Sequence, residues 1–233
     1  MSHRLPFVAG ASLLLLLLIA PQGEAQTIPS PYEFIDERQE YGLVVGMAPS
    51  QRGQLDLGPG GGTVFGARFG LHISGPLGLE ANAFFLPTDR MVRVPGEESG
   101  IEDLGTADAL IAGIDARIRF SLTGNRTWNS LAPYLTAGGG VAFDFAGRSE
   151  VEAEIPESVR FSFGPSFLGV LGTGVRWLPT DRVTVRGEIA VNYWKNGTPE
   201  AFLQRGEEAI GQPVPEQEWT PVRMLTIGLS YRR

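Results

Sequence analysis

Residues 63–74 read Thr63-Val64-Phe65-Gly66-Ala67-Arg68-Phe69-Gly70-Leu71-His72-Ile73-Ser74, and their reading decides the fold. In an extended chain successive side chains point to opposite faces. Phe65, Ala67, Phe69, Leu71 and Ile73 therefore share one face, while Gly66, Arg68, Gly70, His72 and Ser74 share the other. The first face carries no charge. Residues 183–193 repeat the pattern, with Val183, Val185, Ile189, Val191 and Tyr193 set against Thr184, Arg186, Glu188 and Asn192. No sustained helical period occurs after Gln26, and the alternation predicts strands near 40–48, 63–74, 77–86, 106–120, 132–145, 160–178, 182–195 and 221–231. The connections take turns between long stretches and short links such as Gly75-Pro76 and Pro179-Thr180-Asp181. That asymmetry belongs to an up-and-down barrel whose two ends face different compartments.

Periodicity leaves open which face meets water, since a soluble eight-stranded barrel alternates too. Composition of the polar face decides it. A soluble exterior would be dense in long solvated side chains, whereas this face is mostly Gly, Ser, Thr and Ala, including Gly138, Gly140, Ala142, Gly164, Ser166, Gly172 and Gly174. Such residues suit a narrow interior. The charges on that face have both signs: Arg68, Glu80, Asp115, Arg117, Arg119, Arg176, Arg186 and Glu188. Buried charge is tolerated when paired and hydrogen-bonded. These residues, with His72, are expected to form an interior polar network that plugs the lumen. Aromatic girdles are expected where the apolar band meets the headgroups, from Tyr41, Phe120, Trp128, Tyr134, Trp177 and Tyr231 at one end. At the other end stand Phe65, Phe85, Phe143, Phe145, Phe161, Tyr193, Trp194 and Trp219. The expected fold is all-β, an eight-stranded antiparallel up-and-down transmembrane β-barrel.

The 233 residues include 31 Gly, about twice average usage, with no Gly-X-Y period. A net charge of −7 argues against nucleic acid as a partner. The absence of Cys excludes disulfides, thiol chemistry and lipoprotein acylation, and two His leave little material for a zinc site. Met1 to Arg4, the apolar stretch to Ala20 and the small residues Gly23 and Ala25 read as a secretory signal over 1–25. A short periplasmic segment over 26–39 and a barrel domain over 40–233 follow. The acidic clusters in the connections, including Glu97-Glu98, Glu150, Glu152, Glu154 and Glu207-Glu208, read as ordinary solvation of long loops.

Pro133-Tyr134-Leu135-Thr136-Ala137-Gly138-Gly139-Gly140-Val141-Ala142, and the stretch from Leu171 to Ala190, resemble the small OmpA-like outer-membrane β-barrel family. The shared features are a proline-aromatic entry into a Gly-rich strand, a tight Thr180-Asp181 turn, and the polar positions of Arg186-Gly187-Glu188. The resemblance covers nearly all of the mature chain as a pattern. It implies the bacterial outer membrane as location, with outer-membrane lipid and lipopolysaccharide around the barrel. It also implies the barrel-assembly machinery and periplasmic chaperones as partners, and a monomer. Tyr231 is followed by Arg232-Arg233, where family members often end on an aromatic residue, and no peptidoglycan-binding domain is expected after the last strand.

Chemistry is sparse. His72, Ser74 and Glu80 are the best candidate triad, because a His and Ser two apart on a strand point the same way and Glu80 lies across the hairpin. They resemble the His-x-Ser pair of lipid A deacylases, yet they sit by a short turn and face inward, so the reading assigns no catalytic residue. No segment matches an EF-hand, and Gly58 to Gly62 lacks the partners of a phosphate-binding loop. No metal and no cofactor are assigned. The expected function is a non-enzymatic structural or surface-interaction role; the alternatives are a narrow channel for small or apolar solutes and a lipid A-modifying hydrolase.

Overall fold

A computed structural model describes residues 30–36, 38–49, 51–96, 100–147 and 149–233; the expected signal peptide over 1–25 lies outside the described residues. All eight expected strands are present. They are β2 (Gln39–Ala48), β3 (Gly62–Ser74), β4 (Leu77–Pro95), β5 (Ile101–Ser121), β7 (Leu131–Asp144), β8 (Ser166–Trp177), β9 (Val183–Gly197) and β10 (Gln217–Arg232). Two three-residue strands, β1 (Tyr32–Phe34) and β6 (Arg126–Trp128), and two helices, α1 (Glu150–Ala153) and α2 (Glu200–Ile210), complete the elements. The long strands pair antiparallel in the order β2-β3-β4-β5-β7-β8-β9-β10, and β10 pairs β2, so each has a hydrogen-bonded neighbour on both sides. Among the described residues, no helix is long and apolar enough to cross a membrane.

Burial follows the two-residue period. Along β10, Val222, Met224, Thr226, Gly228, Ser230 and Arg232 are buried, while Leu225, Ile227, Leu229 and Tyr231 are exposed. The outward face carries Leu43 at 72% exposure, Ile227 at 63% and Ile118 at 57%, whereas inward Arg186 is 2% and Glu80 1% exposed. This is a water-soluble protein turned inside out: charge within, oil without.

Four expectations need correcting. The stretch 87–105 was expected to be loop, but β4 and β5 continue through it as a hairpin with a register shift at Val92/Arg93. Pro87 and Pro95 are tolerated there because β4 beyond Phe85 pairs with β5 alone, which makes it an edge. The strand expected from 160 begins at Ser166, and Phe161 and Phe163 fold into the interior instead. Tyr134, Phe161 and Trp194, assigned to the girdles, are buried. Their neighbours two residues away, Thr136 for Tyr134 and Asn192 for Trp194, are inward too, so strand parity overrides the aromatic preference for interfaces. Glu152, read as solvated, is buried.

Tyr32 and Phe34, in the segment expected to be a plain periplasmic lead, pair with Trp128 and Arg126, and the Arg126 guanidinium lies 4.4 Å from the Phe34 ring centroid. Short connections 75–76, 122–130 and 178–182 share one end with these strands, and the strand ends Ala48 and Gly62, Pro95 and Ile101, Asp144 and Ser166, and Gly197 and Gln217 share the other.

Candidate functional site

The alternation that exposes the apolar face sends at least one charged or polar residue from every long strand toward the interior. Glu188 on β9 is one hub. It accepts hydrogen bonds from Arg68 Nη2 (3.0 and 3.1 Å), Arg117 Nη1 (2.8 Å) and the Tyr134 hydroxyl (2.7 Å). Arg117 also donates Nε and Nη2 to Asp115 at 2.6 and 2.8 Å, and Asn82 links Asp115 to Arg68 at 2.8 and 2.6 Å. Nearer the short turns a second hub forms. Glu80 accepts from Arg186 Nη1 (2.7 Å) and Arg119 Nη1 (3.1 Å), and Glu40 accepts from Arg176 Nη2 (2.8 Å) and Arg186 Nη2 (3.2 Å). Arg68 bridges the hubs, with Nε 3.8 Å from Glu80, and Ser230 on β10 hydrogen-bonds Glu40. The Arg186 guanidinium lies 4.9 Å from the Tyr134 ring centroid.

Ladder register explains how such bulk fits. Gly70 lies opposite both Glu40 and Glu80, Gly78 opposite Arg119, Gly138 opposite Arg117, Gly140 opposite Asp115, Gly174 opposite Glu188 and Gly228 opposite Arg186. Each of these large inward groups therefore has a neighbour with no side chain, whereas Arg176 lies between Ala132 and Arg186. A Cβ on Gly174 would stand 2.5 Å from the Tyr134 hydroxyl, and one on Gly78 2.9 Å from Arg119 Nη2. This accounts for much of the glycine excess.

The structure brings together Arg68, Glu80, Asp115, Arg117, Arg119, Arg176, Arg186 and Glu188 of the expected set. His72 stands apart: it is half-exposed, lies opposite Gly78, and joins the other described members by no hydrogen bond or ion pair. A register shift between His72 and Ser74 breaks the two-residue relation that would aim both side chains one way, and Ser74 is exposed opposite Leu77. Glu80 is held by arginines, so the candidate triad is not assembled. Glu40, Asn82 and Tyr134 are further members; Asn82 shares strand parity with Glu80 and Tyr134 with Gly138, while no residue of β2 is read as inward from the sequence.

Beyond the network, toward the long connections, the interior turns apolar. Phe84, Leu86, Ile111, Leu168, Val170, Trp194, Val222 and Met224 pack with Leu55, Leu57, Phe161, Phe163 and Phe202 contributed by the connections. Phe163 and Trp194 meet edge to face at 5.4 Å. A cavity of about 30 Å³, the share of one water in the liquid, lies between Arg68, Arg117, Glu188, Phe84 and Met224. At the end with the long connections Arg90 on β4 is buried against Glu152 (Nη2 to Oε2 3.0 Å) and Asp144 (3.7 Å), and it donates to the Phe161 carbonyl (3.2 Å). Glu152 also closes a capping box with Ser149 at the start of α1, so one carboxylate shapes the connection and fastens it to β4.

No family model matches the sequence, and no curated protein matches it significantly. Among solved structures, Neisserial surface protein A aligns with 16% identity and a TM-score of 0.51, over 84% of this chain and 97% of its own. At lower TM-scores the chain also aligns with the outer-membrane protein OprG of Pseudomonas aeruginosa (14% identity, 0.49, 84% and 97%). Outer Membrane Protein W of E. coli aligns likewise (14% identity, 0.46, 85% and 100%). The likeness to Neisserial surface protein A shows the fold of a small outer-membrane β-barrel, as the resemblance of the Gly-rich strands implied.

Proposed function

We propose that this chain is an eight-stranded transmembrane β-barrel of a bacterial outer membrane with a side-chain-filled lumen, and that it serves as a non-enzymatic anchor presenting its long connections at the cell surface. The observation that carries the reading is the division of the interior: an ion-paired network spans all eight long strands at one end and an apolar core fills the other. Such an interior resists an ion path twice over. Five guanidiniums, of Arg68, Arg117, Arg119, Arg176 and Arg186, face four carboxylates at hydrogen-bonding distance, and packed apolar side chains, with buried Asn192 among them, fill the other half. The 19 and 21 residues of β4 and β5 exceed the roughly 9–11 needed to cross a bilayer. Their hairpin therefore stands clear of the membrane as the longest presented element.

Planar-bilayer recording of the folded chain tests the reading. Silence is expected; a steady ion-conducting state would refute the filled lumen and favour the channel alternative.

A further inference from the structure

The outward wall contains a trough that the network does not explain. Its floor is Ala67, Ala81, Ala83, Ala116 and Gly139, brought side by side on β3, β4, β5 and β7 by the pairings Ala67–Ala83, Ala81–Ala116 and Ala116–Gly139. Leu43, Leu229, Ile114 and Val141 form its banks, and its volume is about 1060 Å³, the upper range for a small-molecule site. Cβ atoms on Gly138 and Gly140 would fall 2.1 and 1.9 Å from carbonyl oxygens of β5, so glycine is what lets β5 and β7 fold toward each other.

The trough is inclined. It starts at Tyr231 and Tyr41, one residue from the end of β10 and two from the start of β2, and reaches Gly139, eight residues into β7. Five inter-strand steps of about 4.8 Å make roughly 24 Å. With strands tilted about 40°, that rises about 15 Å, half of a hydrocarbon core of about 30 Å. The trough thus leads from the short-turn surface to mid-bilayer. At its mouth backbone hydrogen bonds bring together the exposed residues Arg38, Arg182 and Arg233: Arg38 N donates to the Arg233 carbonyl (3.1 Å) and Arg232 N to the Arg182 carbonyl (2.7 Å), while the Arg232 side chain turns inward to the Thr180 carbonyl. Asp36 and Asp181 are the side-chain carboxylates described beside them.

We propose that this trough binds one anionic glycerophospholipid of the short-turn leaflet, an acyl chain lying on the alanine floor and the phosphate on the arginines at the mouth. The proposal rests on the transmembrane reading. Small floor residues let a chain approach the backbone closely, and guanidiniums at headgroup level favour an anionic over a zwitterionic lipid by about fivefold each.

Native mass spectrometry of the full chain, released from vesicles of equal dioleoyl phosphatidylglycerol and dioleoyl phosphatidylcholine, tests it. One retained lipid is expected, with phosphatidylglycerol favoured at least fivefold. Ala83→Trp, and independently Ala116→Phe, should cut retention tenfold or more. Arg38→Gln/Arg182→Gln/Arg233→Gln should keep a lipid and lose the headgroup preference. Retention unchanged in both floor variants overturns the proposal, as does a preference that survives the arginine substitutions. A dimer abolished by Ala83→Trp would assign the trough to a second copy, which also overturns it. A chain that never inserts into vesicles, with the same gel mobility boiled or unboiled, refutes the transmembrane reading itself.

Discussion

Replacing Glu188 by Gln strikes the network at the member with the most hydrogen bonds. The substitution keeps the shape and removes one negative charge, so five buried guanidiniums would face three carboxylates instead of four. Two arginines and one hydroxyl now donate to Glu188, at 2.7 to 3.1 Å. The Gln amide would have to turn its NH2 toward some of those donors. Charge-assisted hydrogen bonds contribute about 1.5–3 kcal/mol each, and breaking one side of a buried ion pair costs about 3–5 kcal/mol. Both figures lead to an expected loss of about 3–5 kcal/mol. Urea unfolding in lipid vesicles, followed by tryptophan fluorescence, measures it, with an unchanged denaturant slope certifying the same end states. Adding Arg68→Met removes one stranded cation, so the double variant should be less destabilised than the sum of the singles by about 0.5–3 kcal/mol. A loss below about 1 kcal/mol for Glu188→Gln alone would mean that water reaches these groups, and the dry, filled interior would be refuted.

Two further outcomes follow from the geometry. Gly140→Ala would place a methyl group 1.9 Å from the Ile114 carbonyl oxygen, against backbone that cannot yield, whereas Gly187→Ala meets nothing within 4 Å. Refolding yield and urea midpoint should fall for the first by an amount equivalent to about 3 kcal/mol, and stay within about 0.5 kcal/mol for the second. Arg90→Ala strands the buried carboxylates of Glu152 and Asp144, so the 145–165 connection should become the preferred site of limited proteolysis. Mass spectrometry of the fragments checks the cut sites, and an unchanged digestion pattern would remove Arg90 from that role.

Much of this architecture can be read from period two alone. Along Thr63–Ser74 and Val183–Tyr193 nothing competes with the alternation, and the strands appear where it predicts them. It fails where a second signal overlies it. Pro87, Asp89, Arg90 and Arg93 read as loop because proline and charge dominate locally, yet Arg90 faces inward to Glu152, and Arg93 donates to Asp103 across the hairpin at 2.6 Å. Tyr134 and Trp194 read as girdle because aromatics favour interfaces, although their neighbours two residues away point inward. His72 was placed in the network by parity, and a bulge, invisible in the sequence, displaces the strand end that holds it. Glu40 lies opposite Gly70 and reaches arginines from two strands more than 130 residues away, a link that only the three-dimensional register supplies.

The chain contains no cysteine, so single cysteines bearing a nitroxide can be introduced without background. Labels at Leu43, Ile118, Leu171, Ile189 and Ile227, with the protein folded into vesicles, would be probed by power-saturation electron paramagnetic resonance. All five should collide freely with molecular oxygen and hardly at all with a water-soluble nickel complex. Strong nickel collision at these positions would put water where hydrocarbon is required and contradict the account.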